Sequence, residues 1–175
     1  FTDDTYPVMA WHPNGKILTF INEEKADLLL YFYRTGDKTT EERNLLYFDK
    51  ILDFSYSSEG TRLVLSAVKD GTTDIYIHTI ASGTNEQITR DIADDLHPSF
   101  LRESPEEIVF SSNRLSDTLT NTGSPFEKLS PTFDLFTYNL NKRNNNLIRL
   151  SEGRFTDRLQ ATGIAKNKRS QSQYL

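Results

Sequence analysis

The sequence predicts an all-β protein assembled from one repeated unit of four antiparallel strands. Three observations carry this reading. Asp4, Asp49 and Asp94 fall 45 residues apart, and Asp157 follows after a gap of 63, so one unit holds an insertion of 18 residues. The residue two positions after each Asp opens a strand (Tyr6, Ile51, Leu96, Leu159), and Leu18, Leu63 and Ile108 repeat the 45-residue step inside the unit. No segment sustains the 3.6-residue periodicity of an amphipathic helix. A fixed period of about 40–50 residues with strand-like content points to a β-propeller of four-stranded antiparallel blades.

The first blade, residues 6–50, opens with an inner strand over 7–12. Pro13-Asn14-Gly15-Lys16 follows, a hairpin signal because Asn and Gly both tolerate positive φ. Ile17–Asn22 and Asp27–Tyr33 are the next strands; Thr35–Asn44 is polar enough to be the following loop, which leaves Leu45–Phe48 as the outer strand. In the second blade, 51–95, Ile51–Tyr56 leads to the turn Ser57-Ser58-Glu59-Gly60. Arg62–Val68 is apolar enough to lie between two neighbouring blades, Asp70-Gly71 makes a turn, and Asp74–Ile80 alternates as a half-buried strand does. Glu86–Thr89 closes the blade. The third blade, 96–158, opens at Leu96 and turns over Arg102–Glu107 without a glycine. Ile108–Ser112, Phe133–Leu140 and Leu147–Leu150 are its later strands, and Leu115–Thr132 is the insertion. Residues 159–175 begin a further blade.

Closed propellers take about four to eight blades, so a chain of about three to four is expected to be an incomplete arc of a longer protein. Its terminal blades would present strand edges and apolar faces that a closed ring covers. Net charge is −5, and residues 1–153 hold fifteen basic against twenty-four acidic side chains, a net of −9. This acidic body lacks the clustered basic face that nucleic acid requires. The absence of cysteine excludes disulfides and thiolate metal sites, and no apolar run approaches the length of a membrane-spanning helix.

The repeat has a family likeness. Trp11-His12-Pro13-Asn14-Gly15-Lys16 forms its turn, Asp74-Ile75-Tyr76 and Asp134-Leu135-Phe136 its third strand, Ile88-Thr89 and Leu150-Ser151 its blade ending. Phe110-Ser111-Ser112-Asn113-Arg114 matches the strand ending that precedes the third strand. Together these resemble the TolB-type (WD40-like) propeller repeat over roughly residues 3–165. There are departures: Asp27-Leu28 lacks the following aromatic residue, Ser58 replaces the turn proline, and the third blade lacks the turn glycine. The resemblance implies a periplasmic or envelope-associated bacterial protein, or the propeller domain of a larger one, that binds proteins or peptides. Similar blades also form the non-catalytic propeller of prolyl-oligopeptidase-type serine peptidases, whose hydrolase domain would lie outside this chain.

No catalytic, cofactor or metal residue is expected within the segment. There is no Gly-x-Ser-x-Gly elbow and no Gly-rich phosphate loop, and His12, His78 and His97 lack ligand spacing. Asp70–Asp74 lacks the alternating ligands of a calcium loop. Two roles fit the recurrent Asp4, Asp49, Asp94 and Asp157: hydrogen bonding to turn N–H groups, or a ring of carboxylates near the mouth of the central channel that binds a cation or a basic peptide of a partner. The long insertion lies on the same face, and Phe126, Lys128 and Leu129 are its candidate contact residues.

Overall fold

The computed structural model describes residues 7–24, 27–116, 119, 129–142 and 146–151. Asp4, Asp157, Phe126 and Lys128 lie outside these residues, as does the stretch 159–175. Twelve strands form three four-stranded antiparallel sheets among the described residues. The first holds β1 (Met9–Trp11), β2 (Ile17–Glu24), β3 (Asp27–Arg34) and β4 (Thr39–Asn44) in sequential order. The second holds β5 (Lys50–Tyr56), β6 (Arg62–Lys69), β7 (Thr72–Thr79) and β8 (Thr84–Gln87). The third holds β9 (Asp95–Leu101), β10 (Ser104–Ser112), β11 (Asp134–Asn139) and β12 (Leu147–Arg149). Each sheet is one blade of an incomplete propeller arc.

The 45-residue step is a step in register. Phe20 pairs with Tyr31, Leu65 with Tyr76 and Phe110 with Phe136. The first hairpin repeats the same way. His12 N–H donates to Ile17 C=O and Gly15 N–H to His12 C=O; Ser57 and Gly60 make the corresponding bonds to Arg62 and Ser57. Only the glycine of each turn takes positive φ, 68° at Gly15 and 72° at Gly60, so Asn14 serves another purpose. Its Oδ1 accepts the Lys16 N–H. Gly60 is needed twice over, because a Cβ there would also lie 2.2 Å from His12 Nε2, which reaches across from the first blade.

Alternation along the strands gives each blade two faces. Leu63, Leu65, Ala67, Phe54 and Tyr76 of the second blade bury against Ile21, Leu28, Leu30 and Phe32 of the first. Val64, Ile75, Ile77 and Ile88 point the other way and bury against Phe100, Ile108, Phe110 and Phe136 of the third. The core is therefore two slabs between blades, with β6 buried on both sides.

Several elements differ from the sequence reading: β8 is Thr84–Gln87, not Glu86–Thr89, and β10 starts at Ser104, inside the expected turn Arg102–Glu107. The outer strand of the first blade is Thr39–Asn44, not Leu45–Phe48. Thr-Thr-Glu-Glu-Arg-Asn looks like a loop because an outermost strand is solvated on both faces, yet six of its residues pair with β3. Leu45 and Phe48 are buried because they plug the connection into the second blade, where Phe48 meets the Tyr76 ring edge-on at 4.9 Å. The third strand of the first blade also aligns differently. Pairing places Leu29-Leu30-Tyr31, not Asp27-Leu28, opposite Asp74-Ile75-Tyr76 in the repeat, so this blade keeps the aromatic residue and lacks the acid.

Candidate binding face

Inner strands β5 and β9 begin on one face of the arc. That face carries the connections between blades, Leu45–Asp49 and Ile88–Asp94, together with the hairpin Asp70-Gly71 and the junction from β10 into the insertion. Asp49 and Asp94 are both exposed there. Asp49 Oδ2 accepts the Asp70 N–H at 2.8 Å, tying the inner strand to the tip of its own blade's second hairpin. Asn113 serves the third blade: its Oδ1 accepts the Asp94 N–H at 2.9 Å and its Nδ2 donates to Asp94 Oδ2 at 3.2 Å. The Asp49 carboxylate thus accepts a turn N–H, whereas that of Asp94 accepts only the Asn113 side-chain amide; both residues are exposed. Lys69 donates to Asp70 at 3.1 Å, and that bond raises the Lys69 pKa.

Between the two connections lies a cleft of about 430 Å³, walled by Tyr47, Lys69 and Thr72 on one side and by Gln87, Arg90 and Asp91 on the other. Tyr76 lies against it, 1% exposed, and its hydroxyl finds no hydrogen-bond partner among the described residues. Burial drives the Tyr76 pKa far up, so the phenol stays protonated and is a donor. Arg90 is exposed and makes no hydrogen bond or ion pair among the described residues. Tyr47 is 45% exposed, with Lys69 Nζ 5.7 Å from its ring centre. The cleft therefore offers an aromatic surface, a cation unpaired among the described residues and the exposed Asp70 carboxylate, with the Tyr76 hydroxyl buried behind its wall.

Behind the cleft is a buried charge network. Arg114, 4% exposed, donates to Asp91 Oδ2 at 2.9 Å, to Asp95 Oδ1 at 2.7 Å and to Ser112 Oγ at 2.9 Å. Its guanidinium lies 5.8 and 5.7 Å from the ring centres of Phe110 and Phe136. Burial pushes the Asp95 carboxyl up to about 6, against the opposing pull of Arg114. Asp74 is also raised by burial; Thr72 Oγ1 and Gln87 Nε2 donate to it at 2.8 and 3.2 Å. Asp74, Asp91 and Asp95 bring one oxygen each within 4.8 Å of one another. Arg114 neutralises part of that charge and joins the connection out of the second blade to the first strand of the third.

No protein-family model and no curated protein matches the chain. Solved structures do. TolB from Acinetobacter baumannii superposes with a TM-score of 0.61 at 16% identity, over 83% of this chain and 32% of that one. A putative TolB from Agrobacterium tumefaciens gives 0.61 at 15% identity, over 86% and 50%. The fold is that of a TolB-like β-propeller. The propeller domain of the Trilobed protease from Pyrococcus furiosus is also similar, at a TM-score of 0.50 and 15% identity over 85% and 43%. The TolB-like arc thus spans about a third of the first of these chains and half of the second. Likeness at this identity establishes architecture, and function has to be argued from the site.

Of the residues expected to face a partner, the TolB-like arc brings Leu129 and Asp94 into one neighbourhood. Ser130 N–H donates to Asn113 C=O at 2.7 Å, so the base of the insertion is tied to the residue that holds Asp94, and Leu129 stands 41% exposed beside it. Asp49 belongs to the other connection. Sequence reasoning missed Tyr47, which it placed in an outer strand, and Arg90 and Asp91, which lie in a connection that the blade pattern leaves without assignment. The Arg114 network is not legible in the sequence either, although Asn113-Arg114 belongs to the repeat. Among the described residues no helix is long and apolar enough to cross a membrane.

Proposed function

We propose that this chain is a non-enzymatic propeller module that binds a peptide segment of a protein partner on its connection face, within a longer bacterial envelope protein. The cleft between the two blade connections carries this reading: it holds Arg90, unpaired among the described residues, an exposed Tyr47 ring and the exposed Asp70 carboxylate in one groove. Those groups suit a backbone with polar side chains better than an apolar small molecule. Asp49 and Asp94 at the two margins favour a segment with basic residues at its ends. The envelope location rests on the resemblance to TolB-type repeats.

The test is selection from a phage-displayed peptide library, followed by titration of the selected peptides. Tyr47→Ala and Arg90→Glu are each expected to weaken binding by about tenfold or more, as loss of an anchoring contact does. The double variant Asp49→Asn, Asp94→Asn should make binding less dependent on salt. Peptides that bind all of these variants as tightly as the wild type would overturn the reading. A second reading, the gating propeller of a peptidase, draws on the likeness to the Trilobed protease propeller. It requires a hydrolase domain with a Gly-x-Ser-x-Gly elbow in the parent polypeptide, which sequencing of the complete gene decides.

A further inference from the structure

The outer edge of the first blade is built unlike those of its two neighbours. β4 pairs with β3 through all 6 of its residues, Thr39–Asn44, in an unbroken register. β8 and β12 have only 4 and 3 residues. β4 also contains no proline and no bulge, two of the devices that blunt an exposed edge. Among the described residues no strand pairs with its free side. Blades stack face to face, so a further blade at either end of the arc would cover a face of the first blade and leave this edge open.

Register decides which backbone groups point outward. Leu45 N–H donates to Leu28 C=O, and an antiparallel ladder alternates, so Thr39, Glu41 and Arg43 direct their N–H and C=O groups to β3. Those of Thr40, Glu42 and Asn44 point away from the sheet. The side chains divide in the same way. Arg43 donates to Ile80 C=O of the second blade, and Glu41 on that same side is engaged by Arg43 and lies 3.8 Å from Arg34. Glu42 projects to the other side, exposed and without an ion pair among the described residues. These carboxylates also exclude the simplest occupant. Two copies of β4 paired antiparallel along their whole length would set Glu41 of each against Glu42 of the other, and like charges directly opposite are destabilising.

We propose that β4 receives an extended segment of a protein partner as an added antiparallel strand, with a lysine or arginine opposite Glu42 and β-branched residues on either side of it. Backbone hydrogen bonds to Thr40, Glu42 and Asn44 hold the segment, and the cation opposite Glu42 selects it. None of the residues lining the cleft between the blade connections belongs to β4, so this edge is a second site that acts whether or not the cleft is filled.

The probe is the acetylated, amidated hexapeptide Thr-Val-Lys-Thr-Val-Thr, titrated into the isotopically labelled chain and followed by amide NMR. Saturable shifts centred on β4 are expected, with hydrogen exchange slowed at Thr40, Glu42 and Asn44. Methylating the backbone nitrogen of the probe's lysine removes the donor that faces Glu42 C=O and leaves the protein untouched; it should weaken binding by about tenfold or more. Glu42→Lys alters a solvated side chain. It should weaken the basic probe by a similar factor and bind the acidic counterpart Thr-Val-Glu-Thr-Val-Thr in its place. Four outcomes overturn the proposal. The first is no saturable shift at millimolar probe. The second is a methylated probe that binds as tightly as its parent, which would mean attraction between charges without strand pairing. The third is a wild-type chain that takes the acidic peptide as well as the basic one. The fourth is exchange at Thr40, Glu42 and Asn44 already as slow as at Thr39, Glu41 and Arg43 before any probe is added, which would mean an edge covered by other residues of the chain.

Discussion

Arg114 is the side chain on which most of the buried charge depends. It stands between Asp91 and Asp95, 3% and 0% exposed, over two phenylalanine rings. Arg114→Met would leave two carboxylates buried side by side, a loss of about 3–5 kcal/mol. Urea denaturation should show this as a lower midpoint at unchanged slope, and a variant as stable as wild type would remove Arg114 from the account. Asp95 makes a pH-dependent contribution of known sign. Its folded pKa of about 6 lies above the ~3.9 of an unfolded aspartate, so the folded chain holds more protons between the two values. The contribution favours folding fully below about pH 4 and is lost as pH rises through about 6. Asp95→Asn does not titrate. The stability of wild type minus that of the variant should therefore fall as pH rises through this window, and a flat difference would refute the assignment.

Outer strands are the least secure elements of a blade, and this chain holds them in two ways. In the second blade Thr89 Oγ1 accepts the Ile75 N–H at 2.8 Å and donates to Asp74 Oδ1 at 3.4 Å. In the third, Ser151 Oγ accepts the Leu135 N–H at 2.9 Å and donates to Asp134 Oδ1 at 2.7 Å. This latch is the physical reason that an Asp-aliphatic-aromatic triplet recurs with a terminal Thr or Ser. The first blade has Leu29 and Asn44 at those places and no latch; its outer strand has six paired residues, against four in β8 and three in β12. Side-chain latches accompany the short outer strands, and a longer ladder stands in where the latch is missing. Thr89→Val leaves the Ile75 N–H and Asp74 short of a partner and should cost about 1–3 kcal/mol. Amide exchange in β8 should quicken while β4 is unaffected; equal quickening in both would count against a local latch.

Across the whole arc, stability is graded by how many blades cover a strand. The second blade has a neighbour on each face, and β6 is buried from Leu63 through Ala67. β4 is exposed along nearly its whole length. Hydrogen exchange followed by mass spectrometry should find β6 the most protected strand and β4 among the least. Comparable protection in the two would mean that the arc opens only as one unit. The same gradation separates the two open ends from the middle, and it places the cleft, formed by the second blade and its two connections, on the best-supported part of the scaffold.

The sequence by itself determined the period and most strand positions, because Leu18, Leu63 and Ile108 must return to the same face of equivalent strands every 45 residues. It also determined which turns need glycine, since Gly15 and Gly60 occupy a backbone conformation that few other residues accept. Only the tertiary structure decided the rest. Thr39–Asn44 is a strand because β3 supplies its partners, and no local pattern in a fully solvated segment records that. Asp91, Asp95 and Arg114 form one network only when the connection from the second blade and the first two strands of the third are folded together. Tyr47 and Arg90 are 43 residues apart, and they wall one cleft because each leaves its blade at the same face. Local periodicity encodes elements that bury one side, whereas a site made of connections exists only once the blades are stacked.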